Sequence, residues 1–216
     1  MIVVLLGPPG CGKGTQGERL AAALKVPKIS TGDVIRAAIK NGTPLGLQAK
    51  SYYDRGDLVP DPLIMDIIRE TLAAPEQSRG VVLDGVVRTT PQAEGIAGVL
   101  LGLGRTLDLV LMFQIADEAL VGRLSSRVVC DACQSPFSGR NVGELHAECL
   151  KTPKGHLVRR KDDEPDAIRN RLKVYQAQTA PVLAWYKANN GPLAEIDALG
   201  SVDEVTARVM KAARLT

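Results

Sequence analysis

The chain has 216 residues, 45% of them hydrophobic, which is enough for one substantial core with room for an insertion or two. Its 27 basic and 24 acidic residues leave a net charge of +3, too balanced for a dedicated nucleic-acid binder, so any anion recognition has to be local. No run approaches the roughly 20 apolar residues of a membrane span, and the N-terminus carries no basic region or cleavage signal; the chain reads as cytoplasmic, with no membrane partner.

The first element is the apolar run Ile2-Val3-Val4-Leu5-Leu6, a buried strand that runs directly into Gly7-Pro8-Pro9-Gly10-Cys11-Gly12-Lys13-Gly14-Thr15. Closely spaced glycines let the backbone curl so that successive N–H groups point inward, and the helix beginning near Lys13 adds the positive end of its dipole. The stretch reads as a phosphate-binding loop. Lys13 reaches the outer phosphates as a point charge, and the Thr15 hydroxyl serves a phosphate oxygen or a magnesium ion. The strict pattern places Ser or Thr directly after the Lys, whereas Gly14 intervenes here. Cys11, at a helix start that would lower its pKa, reads as a small spacer.

Glu18 to Lys25 carries helical spacing that Pro27 stops, and Lys28-Ile29-Ser30 fits a short strand. Thr31-Gly32-Asp33 opens a helix that ends at Asn41-Gly42, and a second short helix fits Leu47 to Arg55. Asp61-Pro62 is a cap with proline at the first helical position, ahead of the stripe Leu63, Ile64, Ile67, Ile68 and Leu72. Gly80 to Leu83 is a buried strand that delivers Asp84 at its C-terminal end, where an open α/β sheet places its ligands. A helix from about Pro91 to Leu103, a strand from Leu109 to Gln114 and a capped helix from Asp117 to about Arg127 continue the alternation. After the segment 128–159, Pro165 starts a long helix that Pro181 is expected to kink. Leu193 to Ile196 is the last strand, and Ser201-x-x-Glu204 is a capping box for the terminal helix. Strands alternating with helices imply an α/β fold with a parallel sheet covered on both faces.

Several of these stretches carry a family resemblance. The loop GPPGCGKGT, STGDVIR at 30–36, LDGVVRT at 83–89 with Pro91-Gln92, and RRKDD at 159–163 followed by RNRL at 169–172 resemble the motifs of the adenylate kinase family, in that family's order and across the whole chain. The resemblance implies a P-loop core of five parallel strands flanked by helices, formed by residues 1–29, 61–127 and 161–216. Two mobile insertions would interrupt it, a helical monophosphate-binding insertion at 30–60 and a lid at 128–160. It implies Mg2+-dependent phosphoryl transfer from ATP to AMP giving two ADP, by a monomer. The alternatives are a kinase of another nucleoside monophosphate, against which the long lid and the Thr31 and Gln92 pair count, and a weakly active nucleotide-binding sensor.

By the same resemblance, Gly10, Cys11, Gly12, Lys13, Gly14 and Thr15 hold the ATP phosphates with Arg123 and Arg127. Thr31, Arg36, Asp57, Val59, Gly85, Arg88 and Gln92 form the AMP site, with Thr31 and Gln92 at the adenine. Arg160 and Arg171 serve AMP and the group in transfer, so that Lys13, Arg88, Arg123, Arg160 and Arg171 form the catalytic set. Asp33 and Asp84 orient water on magnesium. This division agrees with the chemistry, because bringing two nucleotides together calls for cations from several directions and for no general base. One motif departs from the family: Val86-Val87 stands where Phe-Pro is usual. Proline accepts a cis bond at small cost whereas Val-Val would cost several kcal/mol, so a different backbone is expected to aim Arg88. Asp57 stands where a basic residue is common.

Both histidines and three of the four cysteines fall between Cys130 and His156. Cys130-x2-Cys133 and Cys149 resemble a zinc-binding lid found in many relatives, and His146 would complete a structural Zn2+ site of three Cys and one His. Thr152 and His156 are the other candidates for the fourth position, and free buried thiols or a disulfide are the other states of the cysteines.

Overall fold

A computed structural model describes residues 1–215, apart from the side chains at positions 71 and 117. Strand β1 (Ile2–Leu6) is buried along its whole length, as a central strand with both faces covered has to be. Its alternate residues serve two cores: Ile2, Val4 and Leu6 enter one apolar cluster, Val3 and Leu5 the other. Helix α1 (Lys13–Leu24) leads to β2 (Lys28–Ser30), and β3 (Val81–Asp84), β4 (Leu109–Gln114) and β8 (Leu193–Asp197) complete a five-stranded parallel sheet. Its order is β2-β3-β1-β4-β8. The connections from β1 and from β3 leave in opposite directions, and a crevice opens between their C-terminal ends, the usual ligand position in such sheets.

Residues between β2 and β3 form helices α2 (Thr31–Lys40), α3 (Pro44–Arg55) and α4 (Asp61–Ala73). The α3 helix begins three residues before the expected Leu47. Thr43 caps it by accepting the Gly46 N–H at 3.2 Å, and Pro44 supplies a preset first turn. Gly46 is also where α2 and α3 touch: a Cβ there would lie 2.1 Å from the Ala38 carbonyl oxygen.

Helices α5 (Thr90–Gly102) and α6 (Asp117–Ser125) follow β3 and β4. The α6 helix stops before the expected Arg127, because Arg127 opens a strand; Ala116 precedes the helix without a side-chain cap, and the cap read at Asp117 lies outside the described residues. Strands β5 (Arg127–Cys130), β6 (Pro136–Ser138) and β7 (Leu157–Val158) form a separate antiparallel sheet in the order β6-β5-β7. Its core is small, with Val128, Cys130, Cys149 and Leu157 buried together.

The long C-terminal helix is α7 (Pro165–Val174) and α8 (Ala180–Ala188), joined by a π-helical turn at Tyr175–Thr179. Pro181 follows directly on this widened turn. It sits in the first turn of α8, and the irregularity of the long helix lies in the turn ahead of it. Helix α9 (Val202–Ala212) closes the chain with the capping box of Ser201 and Glu204.

Candidate active site

A cavity of about 1500 Å³ opens at the C-terminal ends of β1 and β3. That exceeds the ~300–1,000 Å³ of a pocket for one small ligand. The loop after β1 forms its floor. Gly7 has φ +142°, and a Cβ there would stand 2.7 Å from the Phe113 carbonyl oxygen, so both the backbone conformation and the packing require glycine. Lys13 curls back over this loop and donates to the carbonyls of Gly7 at 2.7 Å and Pro8 at 2.8 Å. Gly10, Gly12, Gly14 and Thr15 line the cavity beside it. Cys11 also reaches the cavity, but at 1% exposure its side chain packs with Leu5, Leu20 and Phe113, which is the spacer role. Asp84 ends β3 within the same wall, its Oδ2 3.6 Å from where a Cβ of Gly14 would be.

Arginines enter from every side: Arg36 from α2, Arg88 after β3, Arg123 from α6, Arg127 from β5, Arg160 before the lid's return and Arg171 from α7 all line the cavity. Burial, reinforced by Arg171, brings Arg88 down to about 10; burial with Arg36 and Arg127 does the same to Arg160. Both remain charged at neutral pH. Arg36 pairs with Asp33, and the Nε atoms of Arg36 and Arg160 are buried with no partner among the described residues. Cations crowded this closely and left with unused donors make a site for a multiply charged anion. Burial pushes the Asp33 carboxyl up, but Arg36 and, farther off, Lys28 and Arg160 hold it below the usual carboxylate range. Arg123 reaches the Ala198 carbonyl at 3.2 Å.

The loop 85–88 is held despite its Val-Val sequence. Val86 and Val87 are buried in the core, and their peptide is not cis. The Arg88 N–H donates to Gln92 Oε1 at 2.7 Å, the Arg88 carbonyl accepts from the Thr179 hydroxyl at 2.8 Å, and the Gly85 carbonyl accepts from the Thr31 hydroxyl at 2.7 Å. Arg88 thus faces the cavity on a fixed backbone, and apolar burial replaces the proline. Thr31 and Gln92, expected at the adenine, are 2% and 1% exposed and do not line the cavity; both bond to this loop, and Gln92 also donates to Asp61 at 2.7 Å. Val59, Gly85 and Asp57 do line it, although the Asp57 carboxylate already accepts from Arg55 at 2.8 Å and Asn170 at 2.7 Å.

In the 128–160 segment, one ligand atom from each of Cys130, Cys133, His146 and Cys149 lies within 4.8 Å of every other. The Cys130 and Cys149 sulfurs are 3.8 Å apart, and Cys133 Sγ is 3.4 Å from His146 Nδ1. No pair is bonded as a disulfide. A tetrahedral zinc with sulfur at about 2.3 Å and nitrogen at about 2.0 Å requires edges of about 3.8 Å and 3.5 Å, so the donor set fits the ion. His156 is outside this group. Burial raises the Cys133 thiol, but hydrogen bonds from the Ser135 hydroxyl and N–H outweigh it and bring the group to about 6.

The structure adds residues to which the motifs gave no role. Asp162 and Asp163 are buried between the arginines, Asp162 pairing with Arg171 at 2.9 Å and Asp163 taking Arg127 and Arg171. Buried carboxylates next to a set of clustered arginines were the signal available in the RRKDD run. Tyr53 on α3 and Thr179 on the π turn also line the cavity, and nothing in their local sequence announces it.

A family model described as adenylate kinase matches residues 5–191. The chain is similar to a protein named adenylate kinase from Gemmatimonas aurantiaca, 59% identical over 216 residues and covering all of both chains. It is also similar to proteins of that name from Methanocella arvoryzae, 45% identical over 218 residues and 99% of each chain, and from Geobacter sp. strain M21, 42% identical over 214 residues, 99% of this chain and 100% of that one.

Proposed function

The chain belongs to the adenylate kinase family, and we propose from that premise how its own residues divide the work. As an adenylate kinase it is an ATP:AMP phosphotransferase, interconverting ATP and AMP with two ADP. The observation that carries the assignment of roles is the convergence of six arginines and Lys13 on one cavity large enough for two nucleotides.

The donor phosphates lie on the loop Gly10 to Thr15, where backbone N–H groups and the start of α1 supply positive potential. Lys13 exchanges its two carbonyl partners for phosphate oxygens, and Arg123 and Arg127 face the donor from α6 and β5. Arg36 and Arg88 take the acceptor phosphate, with Val59, Gly85 and the 57–59 backbone bordering its nucleoside. Thr31 and Gln92 contribute by fixing the 85–88 loop. Arg160 and Arg171 bear on the transferred group from the lid side. The acceptor phosphate is already an anion, so the protein's task is alignment and charge stabilisation in a site shielded from water. Asp84, with Asp33, would hold magnesium through its waters; the ion neutralises charge on the donor phosphates.

The domain roles follow: residues 30–60 cover the acceptor, 128–160 the donor, and 1–29, 61–127 and 161–216 form the core. Lid closure in this family is itself a standard example of such motion. The cluster of Cys130, Cys133, His146 and Cys149 holds a structural zinc ion that orders a lid with little apolar core. No helix among the described residues is long and apolar enough to cross a membrane. We read the protein as a cytoplasmic monomer whose partners are its nucleotides.

A panel of nucleoside monophosphates with ATP and magnesium tests the substrate assignment. AMP is expected to give the highest kcat/KM, and a higher value for UMP, CMP or GMP would sink it.

A further inference from the structure

The acceptor insertion and the lid hinge meet at one side-chain hydrogen bond. The Tyr53 hydroxyl, on α3, donates to Asp162 Oδ1 at 2.8 Å. Asp162 lies in the short turn Lys161–Asp163 through which the lid returns to the core, and is itself buried. From there the contacts continue without a gap. Asp162 Oδ2 pairs with Arg171 Nη1 at 2.9 Å, the same nitrogen reaches Asp163 Oδ1 at 3.1 Å, and Asp163 binds Arg127, the first residue of the lid's first strand. On its other side Tyr53 stands next to Arg36.

We propose that Tyr53 is a positioning residue that couples the two nucleotide sites, by tying the helix that covers the acceptor to the hinge of the lid that covers the donor. The reading rests on the adenylate kinase assignment above and deepens it. Its physical content is a shared geometry. The hydrogen bond survives only while α3 rests against the 161–163 turn. An anion drawn onto Arg36 holds α3 there, the phenol then holds Asp162, and Asp162 holds Arg171 where it bears on the transferred group, next to the Asp163–Arg127 pair on the donor side. Each ligand therefore favours the conformation that the other binds, and by linkage the effect is mutual. A phenol suits this role because it is rigid and because burial and the neighbouring Asp162 push it up to about 12, so it stays a donor across the working range of pH. A second tie runs alongside, Asn170 Nδ2 donating to the Arg55 carbonyl at 2.8 Å and to Asp57 at 2.7 Å, and it anchors the end of α3 to α7 without reaching the hinge.

The test is Tyr53→Phe, which keeps the ring and removes the hydroxyl. Calorimetric titration gives the Kd of AMP with and without a saturating non-hydrolysable ATP analogue and magnesium, and the ratio is the coupling factor. We expect that factor to fall at least about threefold in Tyr53→Phe, as the loss of one hydrogen bond to a charged group allows, with the Kd of AMP alone nearly unchanged. In turnover the KM for AMP should rise at saturating ATP and hardly move at low ATP. Tyr52→Phe, one residue away on the same helix, should leave the coupling factor as it is. A smaller fall in Tyr53→Phe, a wild-type coupling factor of one, or an equal fall in Tyr52→Phe overturns the proposal. Failure of the wild type to phosphorylate AMP is scored separately in the same samples and counts against the functional assignment, since the binding ratio is measured whether or not turnover occurs.

Discussion

Arg127, just before the 128–160 insertion, and Asp163, just after it, are joined by a two-pronged ion pair: Nε to Oδ2 at 2.7 Å, with Nη2 on Oδ1. The Asp163 side chain has no exposure and that of Arg127 has 18%. The 128–160 insertion is therefore clamped at its root, both of its connections to the rest of the chain being held by one pair of side chains. Parallel hydrogen bonds of this kind need the planar fork of a guanidinium. Arg127→Ala leaves a buried carboxylate with only its second partner, Arg171, and should cost about 2–4 kcal/mol, somewhat below the usual cost of stranding a buried charge. Arg127→Lys should recover part of that. Urea unfolding of the three proteins measures it, and an Arg127→Ala loss below about 1 kcal/mol would show that Arg171 alone suffices for Asp163.

Removing a cation from the transferring phosphates should be felt in turnover far more than in stability. Lys13→Ala and Arg88→Ala are each expected to lower kcat about 100- to 1,000-fold. Arg88 is half-buried beside Arg171 and Arg36 as well as Asp84 and Asp162, and its charge is disfavoured on balance in the empty protein, so Arg88→Ala should leave the melting temperature unchanged or raised. Near-normal activity in a folded Arg88→Ala protein would show that the acceptor phosphate binds elsewhere.

The lid cluster predicts about one zinc per chain in protein purified without chelator. His146→Ala should abolish high-affinity retention, as should Cys130→Ser. Chelation should lower the melting temperature, because the segment's own buried apolar set is small: Val128, Val129, Leu157 and two of the cysteines among the described residues. The loss of activity should be milder, since a closed four-ligand site leaves no position for substrate. Metal analysis showing less than about 0.2 transition metal per chain rules the site out.

Asp162 should contribute to acid sensitivity. Burial pushes its carboxyl up, but Arg171, the Tyr53 hydroxyl, Arg127 and Arg160 together hold it below the ordinary range. A carboxyl lowered in the folded state stabilises fully above its unfolded pKa of about 3.9, and loses that contribution as pH falls through the folded value. Asp162→Asn should thus be less stable than wild type at pH 7, and the gap should narrow below about pH 4. Melting temperatures of the two proteins between pH 7 and pH 3 make the comparison; a gap that stays constant over that range contradicts the assignment.

The phosphate loop, the alternating strands and helices and the lid cysteines were all legible in the sequence because each depends on local spacing. Glycines at fixed intervals after an apolar run form the same anion cradle wherever they occur, and Cys130-x2-Cys133 brings two thiols together by its turn alone. Element ends were less legible. The Thr43 cap moved the start of α3, and α6 ended early because Arg127 pairs with Ser138 in a strand. Whether Val86-Val87 would redirect Arg88 could not be read from the dipeptide, since the answer lies in hydrogen bonds from Thr31, Gln92 and Thr179, which come from three other elements. The same bonds hold Thr31 and Gln92 against that loop. The sequence by itself determined which groups carry charge, which thiols share a loop and which segments form the sheet. Only the tertiary structure decided which charges meet. A salt bridge or a phenol bond such as Tyr53 to Asp162 depends on packing between elements 109 residues apart, and no local pattern encodes that distance.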